Sequence, residues 1–258
     1  MSNRVQDKVA IITGGAGGIG SATGQLFCEE GARVVLVDRD PASTEAVAND
    51  IRKKVPGARV LAIVADVAKE SEALRIVADA VAGFGGIDIL VNIAGIREYW
   101  RLADAPAESW QDILGVNLLS YAYMAKAALP ALRKSGTGCI VNISSTYGVT
   151  GRSGMGQYDA TKAGILALTR TLAFEEAEHG VRVNAVCPGY TLTPFHFKRA
   201  LAAGRTADDL RNEKLRECLM QRWADPREIA YPILWLASGE ASYITATTLM
   251  ADGGRPVM

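Results

Sequence analysis

KVAIITGGAGGIG, residues 8–20, joins a short apolar run directly to a loop made mostly of glycine. Gly14, Gly18 and Gly20 are spaced Gly-x-x-x-Gly-x-Gly, one residue longer than the dinucleotide fingerprint, and a stretch with helical spacing follows at once. Between a strand and a helix, such glycines allow a tight turn and leave backbone amides directed at an anion beside the helix N-terminus. The stretch therefore predicts a phosphate-binding turn after the first strand.

Short runs of consecutive apolar residues alternate with longer stretches of helical spacing along the chain. Apolar residues on consecutive positions are typical of strands that are covered on both faces in a parallel sheet. The repeated strand–helix order predicts a doubly wound α/β protein, one domain over residues 1–258 with a central parallel sheet of about seven strands. Residues 107–134 and 157–179 have the spacing of long helices, and the polar segment 190–222 is a candidate lid. The runs that predict strands are residues 8–13, 32–38, 58–66, 87–95, 138–144 and 181–189.

The composition argues against several classes of partner. Lys plus Arg and Asp plus Glu number 28 each, so no excess of positive charge favours nucleic acid or anionic lipid. The best apolar helix candidate, residues 163–174, is interrupted by Arg170 and is too short to cross a bilayer. The N-terminus lacks a signal-peptide pattern, and the four cysteines lack the spacing of a disulfide framework or a zinc site. We therefore expect a cytoplasmic protein without a metal, a nucleic-acid partner or a membrane anchor.

The second predicted strand ends at Asp38, eighteen residues after Gly20. A carboxylate at the tip of that strand can accept hydrogen bonds from both hydroxyls of an adenosine ribose, and it repels a 2′-phosphate. This position predicts NAD rather than NADP as the cofactor. Arg39 leaves the alternative open, because an arginine there could bind the 2′-phosphate of NADP.

Tyr158 and Lys162 stand four positions apart in QYDATKAG, residues 157–164. On a helix these positions lie on the same face, so the phenol and the ammonium can share one small volume. At about 5 Å and an effective dielectric constant near 20, the ammonium favours the phenolate by roughly 3 kcal/mol, or about two pKa units. We therefore hypothesise that Lys162 makes Tyr158 acidic enough to act as a general base. One such pair also arises by chance in many proteins and does not establish an enzyme by itself.

Taken in order, these motifs resemble the short-chain dehydrogenase/reductase family over about residues 8–254. The cofactor loop of the family reads TGGAGGIG here, its Asn-Asn-Ala-Gly reads NIAG with Ile93 as the departure, and its Tyr-x-x-x-Lys is Tyr158 and Lys162. The later segment NAVCPGYTLTPF matches the one that covers the nicotinamide in the family. The resemblance implies a Rossmann fold with bound NAD. The cofactor contacts that it implies are Gly14, Gly18, Ile19, Gly20, Asp38, Asp66, Val67, Asn92, Ala94, Gly95, Tyr158, Lys162, Pro188, Gly189, Thr191 and Thr193.

The resemblance also implies a catalytic group of four residues. Tyr158 takes the proton of the substrate hydroxyl while a hydride moves to the nicotinamide, and Ser145, thirteen residues earlier, holds the oxygen on which charge develops. Lys162 also binds the nicotinamide ribose, and Asn117 orders a water that carries the proton away. The implied reaction is hydride transfer between NAD(H) and a secondary alcohol or ketone.

Cationic and aromatic side chains near the predicted site indicate a polar substrate. They suit a carboxylate, a sulfonate or a multiply hydroxylated sugar, although arginines of a lid are often only solvated. We expect a sugar, a polyol or a hydroxy acid. Two alternatives stay open: an NADPH-dependent reductase of 3-oxoacyl thioesters on acyl carrier protein, and a non-catalytic dinucleotide-sensing protein. The candidate substrate-binding residues are Arg97, Tyr99, Ser145, Arg152, Tyr158 and His196.

The two long helical stretches carry apolar residues on more than one face, which is more than a sheet alone can cover. In the family these surfaces build a tetramer, so we expect a homotetramer. The C-terminal DGGRPVM, residues 252–258, could reach towards a neighbouring subunit.

Overall fold

Seven parallel strands form one sheet in the order β3-β2-β1-β4-β5-β6-β7. The computed structural model describes residues 3–255, and all of these strands lie within that range. The order runs outward from the β1–β4 pair in both directions, so the sheet is doubly wound and its order reverses between those two strands. The predicted Rossmann sheet of seven parallel strands is confirmed. The strands are β1 (Val9–Thr13), β2 (Arg33–Asp38), β3 (Arg59–Val64), β4 (Ile89–Asn92), β5 (Cys139–Ile143), β6 (Arg182–Pro188) and β7 (Thr248–Ala251).

Helices pack in two layers, one on each face of the sheet. Neighbouring residues of a strand point to opposite faces, so Ile12 belongs to the core under the first layer and Ile11 to the core under the second, and both are fully buried. This two-sided burial explains why the strands are apolar at consecutive positions. The first layer contains α1 (Gly18–Glu29), α2 (Pro41–Lys54) and α9 (Pro226–Ala237), and the second contains α3 (Glu70–Phe84), α5 (Ser120–Ser135) and α6 (Gly156–Glu176).

The stretch predicted as one long helix, residues 107–134, is interrupted. α4 (Ala107–Leu114) passes into a π-helical turn, Gly115–Leu119, before α5 begins at Ser120. A π turn inserts an extra residue without ending the helix, and such turns are frequent at functional sites. Asn117 lies in this turn and is fully buried. The chain is therefore helical from Ala107 to Ser135, and the apolar spacing, which continues through the turn, does not reveal the π turn within it.

The segment predicted as a lid, residues 190–222, contains two short helices, α7 (Pro194–Ala202) and α8 (Ala207–Arg211). Its first residues pack on the glycine loop, since a Cβ added to Gly18 would lie 2.9 Å from the side chain of Thr193. The segment therefore covers the phosphate-binding turn, and its movement as a lid stays a prediction. Four 3₁₀ turns complete the described structure: Leu102–Asp104, Thr146–Gly148, Ala177–His179 and Gly239–Ala241.

The four cysteines, Cys28, Cys139, Cys187 and Cys218, are buried, and none of them forms a disulfide. Within residues 3–255, no helix has the length and apolarity that crossing a membrane requires. The same part of the chain holds no cluster of three or more histidine, cysteine, aspartate or glutamate side chains placed to bind a metal ion.

Leu90→Ala should destabilise the protein far more than Leu74→Ala. Leu90 on β4 is fully buried, whereas Leu74 on α3 is 57% exposed, so the same chemical change leaves a cavity only at Leu90. We expect a loss of about 2–5 kcal/mol in the free energy of unfolding for Leu90→Ala and less than about 0.5 kcal/mol for Leu74→Ala. Urea unfolding at one fixed protein concentration measures both. Equal losses would contradict the two-layer core.

Candidate active site

A cleft opens at the carboxyl ends of the strands, beside the reversal of strand order between β1 and β4. Its volume is about 580 Å³, within the range of small-molecule sites, and ligands of open α/β sheets bind at this position. Its wall includes the glycine loop after β1, the ends of β2 and β3, and the start of α6. All but one of the predicted cofactor contacts lie on this wall: Gly14, Gly18, Ile19, Gly20, Asp38, Asp66, Val67, Ala94, Gly95, Tyr158, Lys162, Pro188, Gly189, Thr191 and Thr193.

The glycine loop has room for backbone only. Gly14 has a φ of +66°, and a Cβ there would lie 2.9 Å from the Ala94 backbone. A Cβ on Gly20 would lie 2.1 Å from the carbonyl oxygen of Gly14, closer than any real contact. The loop leads into α1, whose N-terminus carries no capping side chain. Free amides at a helix N-terminus, with no side chain in the way, fit the pyrophosphate of a dinucleotide.

Asp38 lies at the end of β2 with its carboxylate on the cleft wall. The carboxylate accepts hydrogen bonds from the backbone N–H of Ala16 at 3.1 Å and of Arg39 at 2.8 Å. These bonds fix its direction and leave acceptor capacity for further donors. Arg39 is exposed on the same wall, so the charges of both signs that the sequence places here do reach the cleft.

Tyr158 and Lys162 lie one turn apart at the start of α6 and share one volume. The Lys162 Nζ is 5.6 Å from the centre of the Tyr158 ring and donates to the Ile143 carbonyl at 2.9 Å. The lysine is 3% exposed, and burial lowers its pKa to about 7. The structure thus brings the predicted pair together on the cleft wall.

The pKa of Tyr158 moves in the opposite direction from the expected one. Burial raises this pKa above its ordinary value, and the opposing influences are Arg97, a hydrogen bond with Ser145, and Arg152. The predicted lowering of the Tyr158 pKa is therefore not found, because burial penalises the phenolate more than these neighbours favour it. The contribution of Lys162 to the phenolate stays a prediction.

Ser145 directly follows β5, and its Oγ accepts a hydrogen bond from the backbone N–H of Tyr147 at 3.2 Å. The residue is 6% exposed and lies on the cleft wall beside Tyr158. Ser145 lies close enough to the phenol to lower the pKa of Tyr158, so one substrate oxygen could contact both hydroxyls. Ser145 and Tyr158 are therefore the polar groups best placed to hold a substrate hydroxyl.

Asn117 does not reach the cleft. Its side chain is bonded to the backbone of Ile96: the Oδ1 accepts from the Ile96 N–H at 2.7 Å, and the Nδ2 donates to the Ile96 carbonyl at 3.0 Å. The Nδ2 also lies 3.3 Å from the Thr161 Oγ1. The amide therefore fixes the backbone that follows β4, and the structure places it as a support of the wall.

Two further predicted contacts lie outside the cleft wall. Asn92 is buried inside the sheet, where its Nδ2 donates to Asn142 Oδ1 on β5 at 3.0 Å. Tyr99 is 47% exposed, and its hydroxyl accepts from Arg199 at 3.1 Å. Asn92 thus joins two strands instead of facing the cleft, and Tyr99 belongs to the outer surface.

Arg97, Arg152 and His196, predicted as substrate contacts, do lie on the cleft wall. The Arg97 Nη1 is 3.2 Å from His196 Nε2, and His196 Nδ1 is 2.9 Å from Thr193 Oγ1. Burial, followed by Arg97 and Arg199, lowers the pKa of His196 to about 4. The neutral imidazole accepts from Arg97 and therefore donates through Nδ1 to Thr193.

Three other residues of the wall, Tyr147, Tyr190 and Arg255, are not among the predicted site residues, although Tyr190 begins the candidate lid. The Arg152 guanidinium carbon lies 3.4 Å from the centre of the Tyr147 ring. Arg255 lies over both rings, 4.4 Å from Tyr147 and 4.5 Å from Tyr190. Arg255 belongs to the stretch expected to reach a neighbouring subunit, yet it packs on its own chain. The last three residues of that stretch, 256–258, lie outside the described residues.

Comparison with known proteins gives full-length matches. The family model described as enoyl-(acyl carrier protein) reductase matches residues 14–255. A 2,5-dichloro-2,5-cyclohexadiene-1,4-diol dehydrogenase of Sphingobium indicum is 38% identical over 98% of both chains. A 3-oxoacyl-[acyl-carrier-protein] reductase of Thermotoga maritima is 37% identical over 97% of this chain and 98% of its own.

Among solved structures, L-sorbose reductase from Gluconobacter frateurii, complexed with NADPH and L-sorbose, superposes with a TM-score of 0.93. It is 32% identical and the match covers 99% of this chain and 98% of the reductase. The matched proteins are oxidoreductases that act on CH–OH groups or the corresponding ketones. The glycine cradle, the Tyr158–Lys162 pair in the same cleft and these matches lead to one conclusion: the chain belongs to the short-chain dehydrogenase/reductase family, whose enzymes use a nicotinamide dinucleotide.

Proposed function

We propose that this protein is an NAD-dependent dehydrogenase of secondary alcohols in which Tyr158 is the general base. The observation that carries the proposal is the convergence of Ser145, Tyr158 and Lys162 in the cleft that holds the glycine cradle. The cradle fits the pyrophosphate, and the bound dinucleotide supplies the acceptor for the substrate hydride.

In this proposal the chain handles the proton. The substrate hydroxyl lies between Ser145 and Tyr158, and the phenolate of Tyr158 accepts its proton while Ser145 donates to the oxygen. The phenolate must form at a buried site, and burial raises the pKa of Tyr158. Nearby cations therefore have to stabilise the phenolate. Arg97 and Arg152 do so, and Lys162 is held close by its bond to Ile143. We assign Asn117 to the positioning of this wall.

Replacing Tyr158 with Phe should remove turnover while cofactor binding persists. The ring keeps its packing and the base is lost, so we expect kcat to fall by about 10³-fold or more. Tyr243→Phe is the matched control, because Tyr243 is fully exposed and distant from the cleft wall. Steady-state kinetics measure turnover, and fluorescence titration with NADH measures binding. Retained activity in Tyr158→Phe would remove Tyr158 from the mechanism.

Asp38 supports NAD as the preferred cofactor. Its carboxylate is fixed at the end of β2 and repels the 2′-phosphate of NADP, while Arg39 beside it could attract that phosphate. The NADPH complex of the sorbose reductase shows that this relative takes the phosphorylated cofactor. We give the carboxylate more weight, because two backbone bonds hold it, whereas the Arg39 side chain is exposed.

Asp38→Asn should shift the cofactor preference towards NADP. Loss of the negative charge removes the repulsion and weakens the bonds to the ribose hydroxyls, so the ratio of kcat/KM for NADP over NAD should rise by about 10- to 100-fold. Arg39→Gln is the companion variant and should reduce only the use of NADP. A wild-type enzyme that prefers NADP, and loses that preference in Arg39→Gln, would reverse the assignment.

The second candidate function is reduction of 3-oxoacyl thioesters with NADPH. The Thermotoga maritima relative, a 3-oxoacyl-[acyl-carrier-protein] reductase, favours it. Asp38 opposes it. Assay of the purified protein with acetoacetyl thioester and NADPH, beside sugars, polyols and hydroxy acids with NAD, separates the two functions.

We also propose that the protein assembles as a homotetramer. Leu119, at the end of the π turn, is 43% exposed, and Phe174 on α6 is 85% exposed. These apolar side chains lie on the two long helical stretches, residues 107–134 and 157–179, whose apolar residues occupy more than one face. Light scattering gives the mass directly.

The cytoplasmic location stays a prediction.

A further inference from the structure

We propose that the substrate is a hydroxy acid whose carboxylate binds Arg97 and Arg152 beside Tyr158. This inference rests on the proposed function, since it places the substrate hydroxyl at Tyr158. It adds the chemical class of the substrate and the two side chains that select it.

Cations surround the phenol of Tyr158. The guanidinium carbon of Arg152 is 5.3 Å from the centre of its ring, that of Arg97 is 6.0 Å away, and the Nζ of Lys162 is 5.6 Å away. The carboxylates among the described residues of the cleft wall are Asp38 and Asp66, at the far ends of β2 and β3. The substrate end of the cleft thus carries positive charge at its surface.

Arg97 is held in place but has no carboxylate partner. It donates to His196 at 3.2 Å and lies over the Phe195 ring at 4.7 Å. Within residues 3–255 no carboxylate lies within ion-pair distance of it, and His196, with its pKa near 4, brings no charge. A guanidinium has five N–H donors, and one is used here. A fixed and only partly buried arginine of this kind suits the two oxygens of a carboxylate.

Arg152 is only partly neutralised. It forms an ion pair with Asp159 at 3.3 Å, behind the cleft wall, and its plane packs on Tyr147. Its Nε is buried without a hydrogen-bond partner, and so are both carboxylate oxygens of Asp159, so the pair is poorly bonded. Asp159 therefore orients Arg152 without satisfying all of its donors. The Arg152 side chain is 24% exposed and lies on the cleft wall, so an acceptor arriving from the cleft could bind guanidinium N–H groups other than the buried Nε.

The positions also limit the size of the acid. The two arginines lie 5–6 Å from the phenol ring that would hold the carbinol. Only a few carbon atoms then separate the hydroxyl from the carboxylate. A compact hydroxy acid fits this arrangement, whereas the thioester of a carrier protein presents no charge at this distance.

Arginines so close to a general base could serve only to stabilise its phenolate. That role and anion binding make different predictions. A purely electrostatic role would affect charged and neutral substrates alike and would move the pH profile of both. Anion binding would affect mainly the KM of the charged substrate.

The test compares each acid with its neutral amide. The probes are 3-hydroxybutyrate with 3-hydroxybutyramide, and 4-hydroxycyclohexanecarboxylate with its carboxamide, each at saturating NAD. The wild-type enzyme should favour at least one acid over its amide. Arg97→Gln and Arg152→Gln should each lower kcat for both members of a pair, because the phenolate loses a nearby cation. Each should in addition raise the KM for the acid by about 10- to 100-fold more than the KM for its amide. Arg101→Gln is the matched control, because Arg101 is exposed and outside the cleft wall.

A binding measurement separates this inference from the proposed function. Calorimetry with cyclohexanecarboxylate and cyclohexanecarboxamide, which cannot react, measures the anion site in the protein with NADH whether or not turnover is found. Preference for the carboxylate that disappears in Arg152→Gln supports the site. Equal affinity for acid and amide overturns it, and so does an equal loss of activity on both members of a pair with a shifted pH profile.

Discussion

The cleft depends on the close approach of two backbone segments. The loop after β1 lies against the segment after β4, and at Gly14 and Gly20 no Cβ can be accommodated. Because β1 and β4 are neighbours at the reversal of strand order, this contact closes the floor of the cleft. The amides at the start of α1 and the wall that carries Arg97 are positioned by the same contact. A side chain at Gly14 would push the glycine loop away from Ala94, and a side chain at Gly20 would push the start of α1 away from the turn itself.

Burial sets the electrostatics of the site. It raises the pKa of Tyr158 and lowers that of Lys162 to about 7, so the two groups that were expected to help each other are both less ready to carry charge. Arginines lose their charge least easily of all side chains. Arg97 and Arg152 therefore remain the dependable cations around the phenol. In the proposed mechanism these two side chains serve both the proton transfer and the choice of substrate, since both tasks need positive charge within the same few ångströms.

Much of the fold could be read from the residues, and the exceptions have physical causes. Six strands follow from runs of consecutive apolar residues, but β7 offers only Leu249, Met250 and Ala251 in succession, too short a run to predict a strand. The π turn at Asn117 leaves the apolar spacing intact, so periodicity cannot detect it. Arg255 stacks on Tyr147, more than a hundred positions earlier. The spacing of neighbouring residues cannot predict a contact between positions so far apart in the chain. Tyr99 looked equally suited to the site, yet its ring packs with Arg199 on the surface.

Asn117 binds both the N–H and the carbonyl of Ile96, which belong to two successive peptide units, and this has a consequence for how such an enzyme can diversify. The main chain that leaves β4 keeps one path whatever side chain follows it. The side chain at position 97 can then be substituted without disturbing the backbone that lines the cleft. Asn117 would thereby let the residue at position 97 change without moving the backbone on which the rest of the cleft depends.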